Sequence, residues 1–474
     1  MKLNKYNHIL NPEKLKEVNI TSRYLSVNNT TVIILYIQQL TDRAELTSNI
    51  IKPLLLNSSR NITIAKIISS VIYMDDVMTD NNENKIIDYI LKGQSVIIIP
   101  SDEKYIVANT LKIEKRQVQD PNIESTIKGA RDAFTENYND NLSLIRYRLK
   151  DPQLRIDEFT VGQRTHTTVA VIYIKDIAND QLVHSVKTKI SKINIDGILE
   201  SGYIQKFIIN KAYNFFPQCG IVERSDTACA NILEGRVIIL VEGGNLALVV
   251  PKTFIEFIDA GDDHYDNIYV SMFSKFIRIL CFSISIFLTS LYVAVVSFHP
   301  DSLPPLYIIS LASSRAAVPF NAALEAFLME LVAEILREAS IRLPKQIGPA
   351  IGIVGTIVIG QASVSAGLIS PLLVIIVSLS VMGSFATSDY SITNIIRILK
   401  FTMIIITSIY GLVGFTMGMI LIAVNIISID IFGVSYVAPL SPLNLKSLKD
   451  LFLSDLSLSK KRPEHVKSKD STKQ

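Results

Sequence analysis

A row of glutamates is the feature whose residue type and spacing most directly suggest chemistry. Within residues 319–342, Glu330, Glu334 and Glu338 recur at every fourth position, so on a helix they stack along one face. The opposite face carries the apolar residues Leu324, Phe327, Leu328, Leu331, Ile335 and Leu336. The carboxylates could face water at a membrane surface or pair with basic residues of a partner. Alternatively, copies of them around an axis could form acidic rings, which draw cations into a pore.

The segment that follows is free of charge and rich in small residues. Residues 346–388 contain no Asp, Glu, Lys or Arg, and Gly, Ala and Ser crowd their first half, 348–367. Small residues let membrane helices pack closely, which is the simpler interpretation. The alternative is a pore-lining helix whose apolar constriction gates by dewetting. In that case the lining candidates are Ile357, Gln361 and Val364, which share one helical face.

The sequence contains no motif for catalysis, a cofactor or a metal. It has no P-loop, no GxGxxG and no HExxH. Its six histidines are scattered, and its three cysteines (Cys219, Cys229 and Cys281) form no CxxC pair and are odd in number. We therefore predict that the protein is not an enzyme, has no catalytic residues and uses no metal or cofactor.

Composition indicates a protein that is part soluble and part membrane-embedded. The 474 residues are 49% hydrophobic and 19% charged, with a mean hydropathy of +0.32. Charge is also absent from 279–300 and 401–429, and a helix of roughly 20 apolar residues crosses a bilayer. We expect four to five membrane helices, the last at 401–427, preceded by a short loop that holds Arg397 and Lys400.

The distribution of charge orients the chain. Lys275 and Arg278 stand at the start of the first membrane helix, so the positive-inside rule places the preceding domain in the cytoplasm. The net charge is only +3, and in residues 446–474 eight lysines and arginines face four acidic residues. We therefore expect no nucleic-acid partner, and a frayed basic tail on the cytoplasmic side. The first residues lack an apolar h-region, so no cleavable signal peptide is expected.

The part before the membrane helices has an α/β pattern. SVIIIPSDEKYIVANTLKI (95–113) predicts two strands joined by a turn, and GRVIILVEGGNLALVVP (235–251) predicts a hairpin. We predict an α/β cytoplasmic domain of two subdomains, followed by an all-α helical membrane domain. The predicted divisions are an N-terminal lead-in at 1–30, α/β subdomain 1 at 31–118, a connecting helical segment at 119–160, α/β subdomain 2 at 161–270, the membrane domain at 271–430 and a cytoplasmic C-terminal tail at 431–474.

Five segments carry a family resemblance: 124–154, 216–243, 297–304, 319–371 and 432–442. Together, and in this order, they resemble the A subunit of GerA-type spore germination receptors. The long 319–371 segment is very specific. One departure lies in the second segment, where Ser225 stands at a position that is usually proline in the family.

The resemblance implies a multi-pass subunit of a nutrient-germinant receptor in the spore inner membrane. It implies two partner chains, a transporter-like B subunit that binds the nutrient and a lipoprotein C subunit, besides membrane lipid. It also implies self-association, as a pentamer resembling ligand-gated ion channels, and release of monovalent cations. The alternative left open is a non-conducting scaffold or transporter-like subunit that couples a nutrient-binding partner to germination.

Overall fold

Two antiparallel five-stranded sheets form the first half of the chain, and apolar helices form the second half. The computed structural model describes residues 6, 8–28, 30–57, 63–112, 129–209, 214–342, 358–386, 389–453 and 461–473. They fall into two units, the first with Met1–Asn210, Cys219–Pro251 and Lys460–Gln474, and the second with Lys211–Gln218 and Lys252–Ser459. The predicted order, an α/β part followed by a helical part, is confirmed.

The first sheet is buried on both faces. Its strands, in the order β1-β2-β4-β5-β3, are β1 (Thr21–Val27), β2 (Thr30–Tyr36), β3 (Val77–Asp80), β4 (Gln94–Ile98) and β5 (Tyr105–Asn109). Its helices are α1 (Pro12–Glu17), α2 (Arg43–Glu45), α3 (Lys52–Leu56), α4 (Ile64–Lys66) and α5 (Lys85–Leu91), with π-helical turns at Leu46–Ile51 and Ile67–Val71. Side chains alternate along each strand, so Ile34 and Ile97 enter one core while Ile33 and Ile98 enter the other. The predicted strand pair is β4 and β5.

The predicted lead-in at 1–30 is wrong, because this segment is part of the first subdomain. It forms α1 and β1, and β1 pairs with β2 along its whole length. Among the described residues of this segment, seven apolar side chains are buried: Tyr6, Ile9, Leu15, Val18, Ile20, Leu25 and Val27. These residues are spread singly among Asn, Lys and Glu, so they produce no periodic pattern even though each one reaches the core.

The second sheet repeats the antiparallel plan. Its strands, in the order β6-β7-β9-β10-β8, are β6 (Leu154–Val161), β7 (Thr167–Ile174), β8 (Gly220–Val222), β9 (Val237–Val241) and β10 (Ala247–Val250). Its helices are α6 (Tyr138–Arg148), α7 (Asp180–Ser191), α8 (Ser201–Ile208) and α9 (Ser225–Leu233). The predicted hairpin is β9 and β10. The predicted boundary at 161 is wrong, since β6 is already the first strand of this sheet and α6 packs into the same core.

The second half is helical. The described helices are α10 (Ile268–Phe298), α11 (Pro305–Arg315), α12 (Ala322–Arg342), α13 (358–365), α14 (Pro371–Phe385), α15 (Tyr390–Ile427) and α16 (Leu445–Leu453). By length and composition, Ile268–Phe298 and Ser391–Ile427 are long and apolar enough to cross a membrane. Ser380 Oγ donates to Ser285 O at 3.1 Å, and Tyr292 Oη lies 3.3 Å from Ser370 Oγ, so α14 runs antiparallel to α10.

Helix α15 reverses direction at Gly411. This residue has φ +60° and ψ −138°, a conformation that favours glycine. A Cβ on Gly418 would overlap the Met403 sulfur, although a straight helix would hold these residues about 22 Å apart. The two arms, 391–410 and 412–427, therefore lie side by side and antiparallel. The single span predicted at 401–427 is a helical hairpin.

The first arm of α15 also contains Arg397 and Lys400, the two residues predicted to lie in a loop. Arg397 and Lys400 lie on this helix, which begins at Tyr390 with Asp389 as its N-cap. Lys400 is almost fully buried. The loop prediction is wrong because it placed the start of the helix at the first uncharged residue. The two cations lie on the helix and are accommodated within the helix bundle by acidic partners on α12.

The C-terminal segment is folded, which corrects the prediction of a frayed tail within 431–474. Short paired strands at Asp430–Ile431 and Val434–Ser435 precede α16. Residues 461–473 then belong to the first unit, where the Val466 side chain is buried. The basic, polar composition of this segment predicted a frayed tail. The segment is nevertheless ordered, because its side chains donate hydrogen bonds to backbone carbonyls of the first unit.

Candidate functional site

Helix α12 is oriented with its polar side inward. Glu325 and Glu330 are both 0% exposed, whereas Ile335, from the predicted apolar face, is 60% exposed. The alternative in which the carboxylates face water is therefore wrong for Glu330, and Glu325, which lies earlier on α12, is buried as well. The inverted polarity is typical of helices whose apolar side meets lipid, since ionisable groups in such proteins turn toward the bundle interior.

Glu330 is the centre of a buried ion pair. The Lys400 Nζ lies 2.5 Å from Glu330 Oε2, and the Thr289 hydroxyl donates to Glu330 Oε1 at 2.7 Å. Three helices are joined by this contact, because Thr289 lies on α10, Glu330 on α12 and Lys400 on the first arm of α15. Both carboxylate oxygens are thus occupied, which offsets part of the cost of removing the charges from water.

The pairing continues along α12 as a ladder. Arg397 Nε contacts Glu334 Oε1, and Arg397 Nη2 lies 3.5 Å from Glu338 Oε2. The Arg342 guanidinium closes the series at 2.8 Å from Glu338 Oε1. Together with Lys400, three cations face three carboxylates, so the ladder as a whole is electrically neutral. We call Glu330, Glu334, Glu338, Arg342, Arg397 and Lys400 the charge ladder.

Three further contacts fix the two ends of α12. Glu325 Oε1 accepts a hydrogen bond from Ser370 N at 2.5 Å and lies near Arg315, whose Nε is 3.4 Å from Glu325 Oε2. Toward the other end, Arg337 Nη2 donates to Ser384 Oγ at 2.6 Å. Because Ser370 and Ser384 lie at opposite ends of α14, α12 and α14 run in the same direction.

The ion pairs bear on the acidic-ring prediction. Within the single chain, Glu330 is enclosed by its own chain and Glu334 is mostly buried against Arg397, so an acidic ring at these two positions would require the pairs to open. Glu338, whose side chain is 49% exposed, remains a candidate for attracting cations. The basic partners of Glu334 and Glu330 are Arg397 and Lys400. Residues three apart on α15 and residues four apart on α12 are each about one helical turn apart, so the two pairs can form side by side.

The small-residue segment is described from residue 358 onward. Gln361 is exposed and Val364 is half-buried on α13, while Ile357 lies outside the described residues. Gly360 is buried, and a Cβ there would lie 3.5 Å from Val374 Cγ1, so α13 packs against α14 through this position. Close packing at Gly360 and an exposed amide at Gln361 thus occur on the same helix, on which the apolar Val358 and Ile359 are exposed too.

A polar cluster in the first unit surrounds Ser225, where the family resemblance implies a proline. Ser225 Oγ donates to Asp132 and accepts from Arg148 Nε at 2.8 Å, and Arg148 Nη2 lies 2.7 Å from Asp132 Oδ1. Beside it, Arg224 binds Asp226 through Nε at 2.9 Å and Nη2 at 2.5 Å. The serine therefore replaces a rigid residue with a hydrogen-bonded one.

Asp226 gives a pH-dependent prediction. Burial acts to raise the pKa of this carboxyl, but the hydrogen bond and charge of Arg224 outweigh it, so the pKa lies below its ordinary value. The stabilisation is then complete above the unfolded value of about 3.9 and is lost as pH falls through the folded value. Asp226→Asn should lower stability by about 1–3 kcal/mol at pH 7.

Thermal unfolding at several pH values checks this effect. The difference between the Asp226→Asn variant and the wild-type chain should shrink below about pH 4. Asp176→Asn, at an exposed aspartate of the same unit, is the matched control and should change little at any pH. A difference that stays constant down to about pH 3 would rule out the ionic origin.

Within the described residues, no group of three or more His, Cys, Asp or Glu side chains is placed to hold a metal ion. The cysteines are free thiols, and burial raises the pKa of Cys229 to about 12. At neutral pH this thiol is therefore not ionised and is a poor nucleophile.

Comparison with known proteins places the chain among germination proteins. It matches the model of the family described as Bacillus/Clostridium GerA spore germination protein over residues 8–465. Spore germination protein KA of Bacillus subtilis (strain 168) is 35% identical, with 93% of this chain and 82% of the relative covered. Spore germination protein XA of Bacillus anthracis is 33% identical, with 98% of this chain and 95% of the relative covered. Spore germination protein GerLA of Bacillus cereus is 37% identical, with 82% of this chain and 79% of the relative covered.

A solved structure is also similar. It is the N-terminal domain of the A subunit of the Bacillus megaterium spore germinant receptor GerK3, at 26% identity and a TM-score of 0.39. The match covers 52% of this chain and 94% of that domain.

Proposed function

The chain belongs to the GerA family of spore germination receptor A subunits, and on this basis we propose that it forms an oligomeric, nutrient-gated channel for monovalent cations. The proposed location is the spore inner membrane, with the two-sheet domain in the cytoplasm. The proposed partners are a transporter-like B subunit that binds the nutrient and a lipoprotein C subunit. Self-association, as a pentamer, is part of the same proposal.

The helix directions support a multi-pass arrangement. Helix α10 and the first arm of α15 run one way, whereas α12, α14 and the second arm of α15 run the other way. Since α12 and α14 run in the same direction, the end of α12 and the start of α14 lie at opposite ends of the bundle. The described helices supply five passages, namely α10, α12, α14 and the two arms of α15, and the connection between α12 and α14 is not counted among them. Hydropathy predicted four to five membrane helices.

The observation that carries the channel proposal is the exposed Gln361 side chain on α13. Gln361 is exposed although α13 lies in a region of apolar helices. In an isolated subunit this amide would meet lipid, and burying a polar group there without a hydrogen-bond partner is costly. An oligomer removes the cost by turning Gln361 toward water along an axis. We propose Gln361, Val364 and Ile357 as lining residues, with Glu338 near an entrance.

The charge ladder favours the alternative of a non-conducting scaffold or transporter-like subunit. Glu330 and Glu334, the groups expected to attract cations, are already neutralised by Lys400 and Arg397. Helices locked together in this way could transmit a movement from a nutrient-binding partner without conducting ions. The two proposals differ in one property, the passage of current.

Reconstitution distinguishes them. The chain, purified with its receptor partners, is placed in planar bilayers with a KCl gradient, and a mixture of amino acids and sugars is added. The channel proposal expects a nutrient-dependent current whose reversal potential lies near that of K⁺ rather than Cl⁻. An intact oligomer that carries no current with any nutrient would overturn the channel and leave the scaffold.

A further inference from the structure

The last described segment, 461–473, occupies a specific site on the second α/β subdomain. We propose that it is a latch, that is, a docked segment which fixes the C-terminal end of the chain to this subdomain. The site consists of two anchors, the carboxyl end of α9 and the turn between β7 and α7.

The first anchor uses the free carbonyls at the end of α9. Arg462 Nε donates to Leu233 O at 2.7 Å, Ser468 Oγ donates to Glu234 O at 2.9 Å, and Lys473 Nζ lies 3.4 Å from Glu234 Oε1. The final carbonyls of a helix have no partner within the helix, and this end of its dipole favours cations. This site therefore suits a segment that carries basic side chains and hydroxyl groups.

Gly235 makes room for the latch at this anchor. Its φ is +91°, and a Cβ added to it would overlap the Ser468 Oγ. Gly243 also has a positive φ, +80°, but a Cβ there would have no atom within 4 Å. The two glycines therefore share the same backbone requirement, and only Gly235 faces the latch.

The second anchor holds Lys469 at the turn before α7. Its backbone N–H donates to Ile177 O at 2.8 Å, and its Nζ donates to Lys175 O at 2.9 Å and lies 2.6 Å from Asp180 Oδ1. Asn179 Nδ2 donates to Lys467 O at 3.1 Å. Ser468 and Lys469 are adjacent, so the two anchors are linked and should open together.

The latch also has its own internal structure. Lys461 and Thr472 form a β-bridge, and Arg462 Nη1 donates to Asp470 Oδ2 at 2.8 Å. Hydrogen bonds from Thr472, together with Arg462, lower the pKa of Asp470 to about 2. Val466 is 2% exposed and is the apolar side chain that the latch buries. Because these internal contacts already restrict the segment, it loses less conformational freedom on docking than a disordered tail would.

Docking has a topological consequence. Cys219–Pro251 and residues 461–473 belong to the same unit, so after Pro251 the chain leaves this unit for the helical region and later returns to it. Given the proposed membrane placement, on which this step rests, both ends of the helical region lie on one side of the bilayer. The number of complete crossings is then even.

Hydrogen exchange on the full-length chain in detergent tests the latch. In the wild-type chain the Lys469 amide should be protected, and Gly235→Ala should speed its exchange by about tenfold or more. Gly243→Ala carries the same backbone strain and should leave the latch as in the wild type. Amides of β7 and β9 report on whether each variant is folded.

A second variant covers the case in which Gly235→Ala does not fold. Arg462→Gln removes the contacts to Leu233 O and Asp470 from the latch side and should also speed exchange of Lys469. Unprotected Lys469 in the wild-type chain, or protection unchanged in both variants, would overturn the latch. The measurement involves no current, so its failure is distinct from failure of the channel proposal.

Discussion

Replacing Lys400 by methionine will destabilise the helical region by roughly 3–5 kcal/mol. The Lys400 Nζ lies 2.5 Å from Glu330 Oε2, and both side chains are almost fully buried. Methionine is similar in length but has no charge, so the Glu330 carboxylate would stay buried with the Thr289 hydroxyl as its remaining close partner. The cost arises from an uncompensated buried charge more than from the lost contact.

Thermal unfolding of the purified full-length chain in detergent measures this effect. The double variant Glu330→Gln with Lys400→Met should recover most of the loss, because no charge is then left without a partner. Arg342→Met is the matched control, since its pair with Glu338 is largely exposed and should contribute at most about 1 kcal/mol. Equal melting of the Lys400 and Arg342 variants would contradict the buried ion pair.

Gly411→Ala will be comparably severe. A residue with a side chain at φ +60° and ψ −138° costs of order 1–3 kcal/mol in backbone strain alone. The new Cβ would also lie 2.7 Å from Phe298 Cγ, and such overpacking typically adds about 1–3 kcal/mol. We expect the helical hairpin to open or the chain to fail to accumulate.

The two causes can be separated by a second substitution. Phe298→Ala combined with Gly411→Ala removes the overlap but not the backbone strain, so it should restore stability only in part. Gly360→Ala is the control, because its Cβ meets Val374 at an ordinary 3.5 Å. If Gly411→Ala unfolds at the same temperature as Gly360→Ala, the reversal at Gly411 is contradicted.

The sheets were predictable because their signals are local. The hairpin of β9 and β10 follows from two apolar runs around Glu242-Gly243-Gly244-Asn245, and the pair β4 and β5 follows from a similar pattern. Most residues of these four strands are buried on both faces of the sheets, so the sequences are largely apolar runs. By contrast, β1 was missed because its few apolar residues stand apart among polar ones.

The charge ladder was predicted only in part. The spacing of Glu330, Glu334 and Glu338 located the acidic side of α12. One alternative was pairing with basic residues of a partner, whereas the basic residues belong to the same chain. The cations themselves were placed in a loop, because a hydropathy window ends a membrane helix where charge begins. Only the three-dimensional contact shows that Lys400 enters the bundle together with its partner.

The reversal of α15 and the docking of the latch were not predictable from local pattern. Gly411 is one of several glycines in an apolar stretch, and nothing in its neighbours indicates a positive φ. The latch consists of polar and basic residues, whose composition is typical of a disordered tail. Its order depends on carbonyls of α9, and Arg462 and Leu233 are 229 residues apart in the chain.

Modification of position 361 tests the channel proposal most directly. A receptor carrying Cys281→Ser and Gln361→Cys is reconstituted, and its nutrient-dependent K⁺ current is recorded before and after addition of a positively charged methanethiosulfonate. We predict that the current falls sharply, while Leu379→Cys, at an exposed apolar position of α14, gives no change. Complete labelling of the introduced thiol in the Gln361→Cys receptor with an unchanged current would contradict a pore lined by α13.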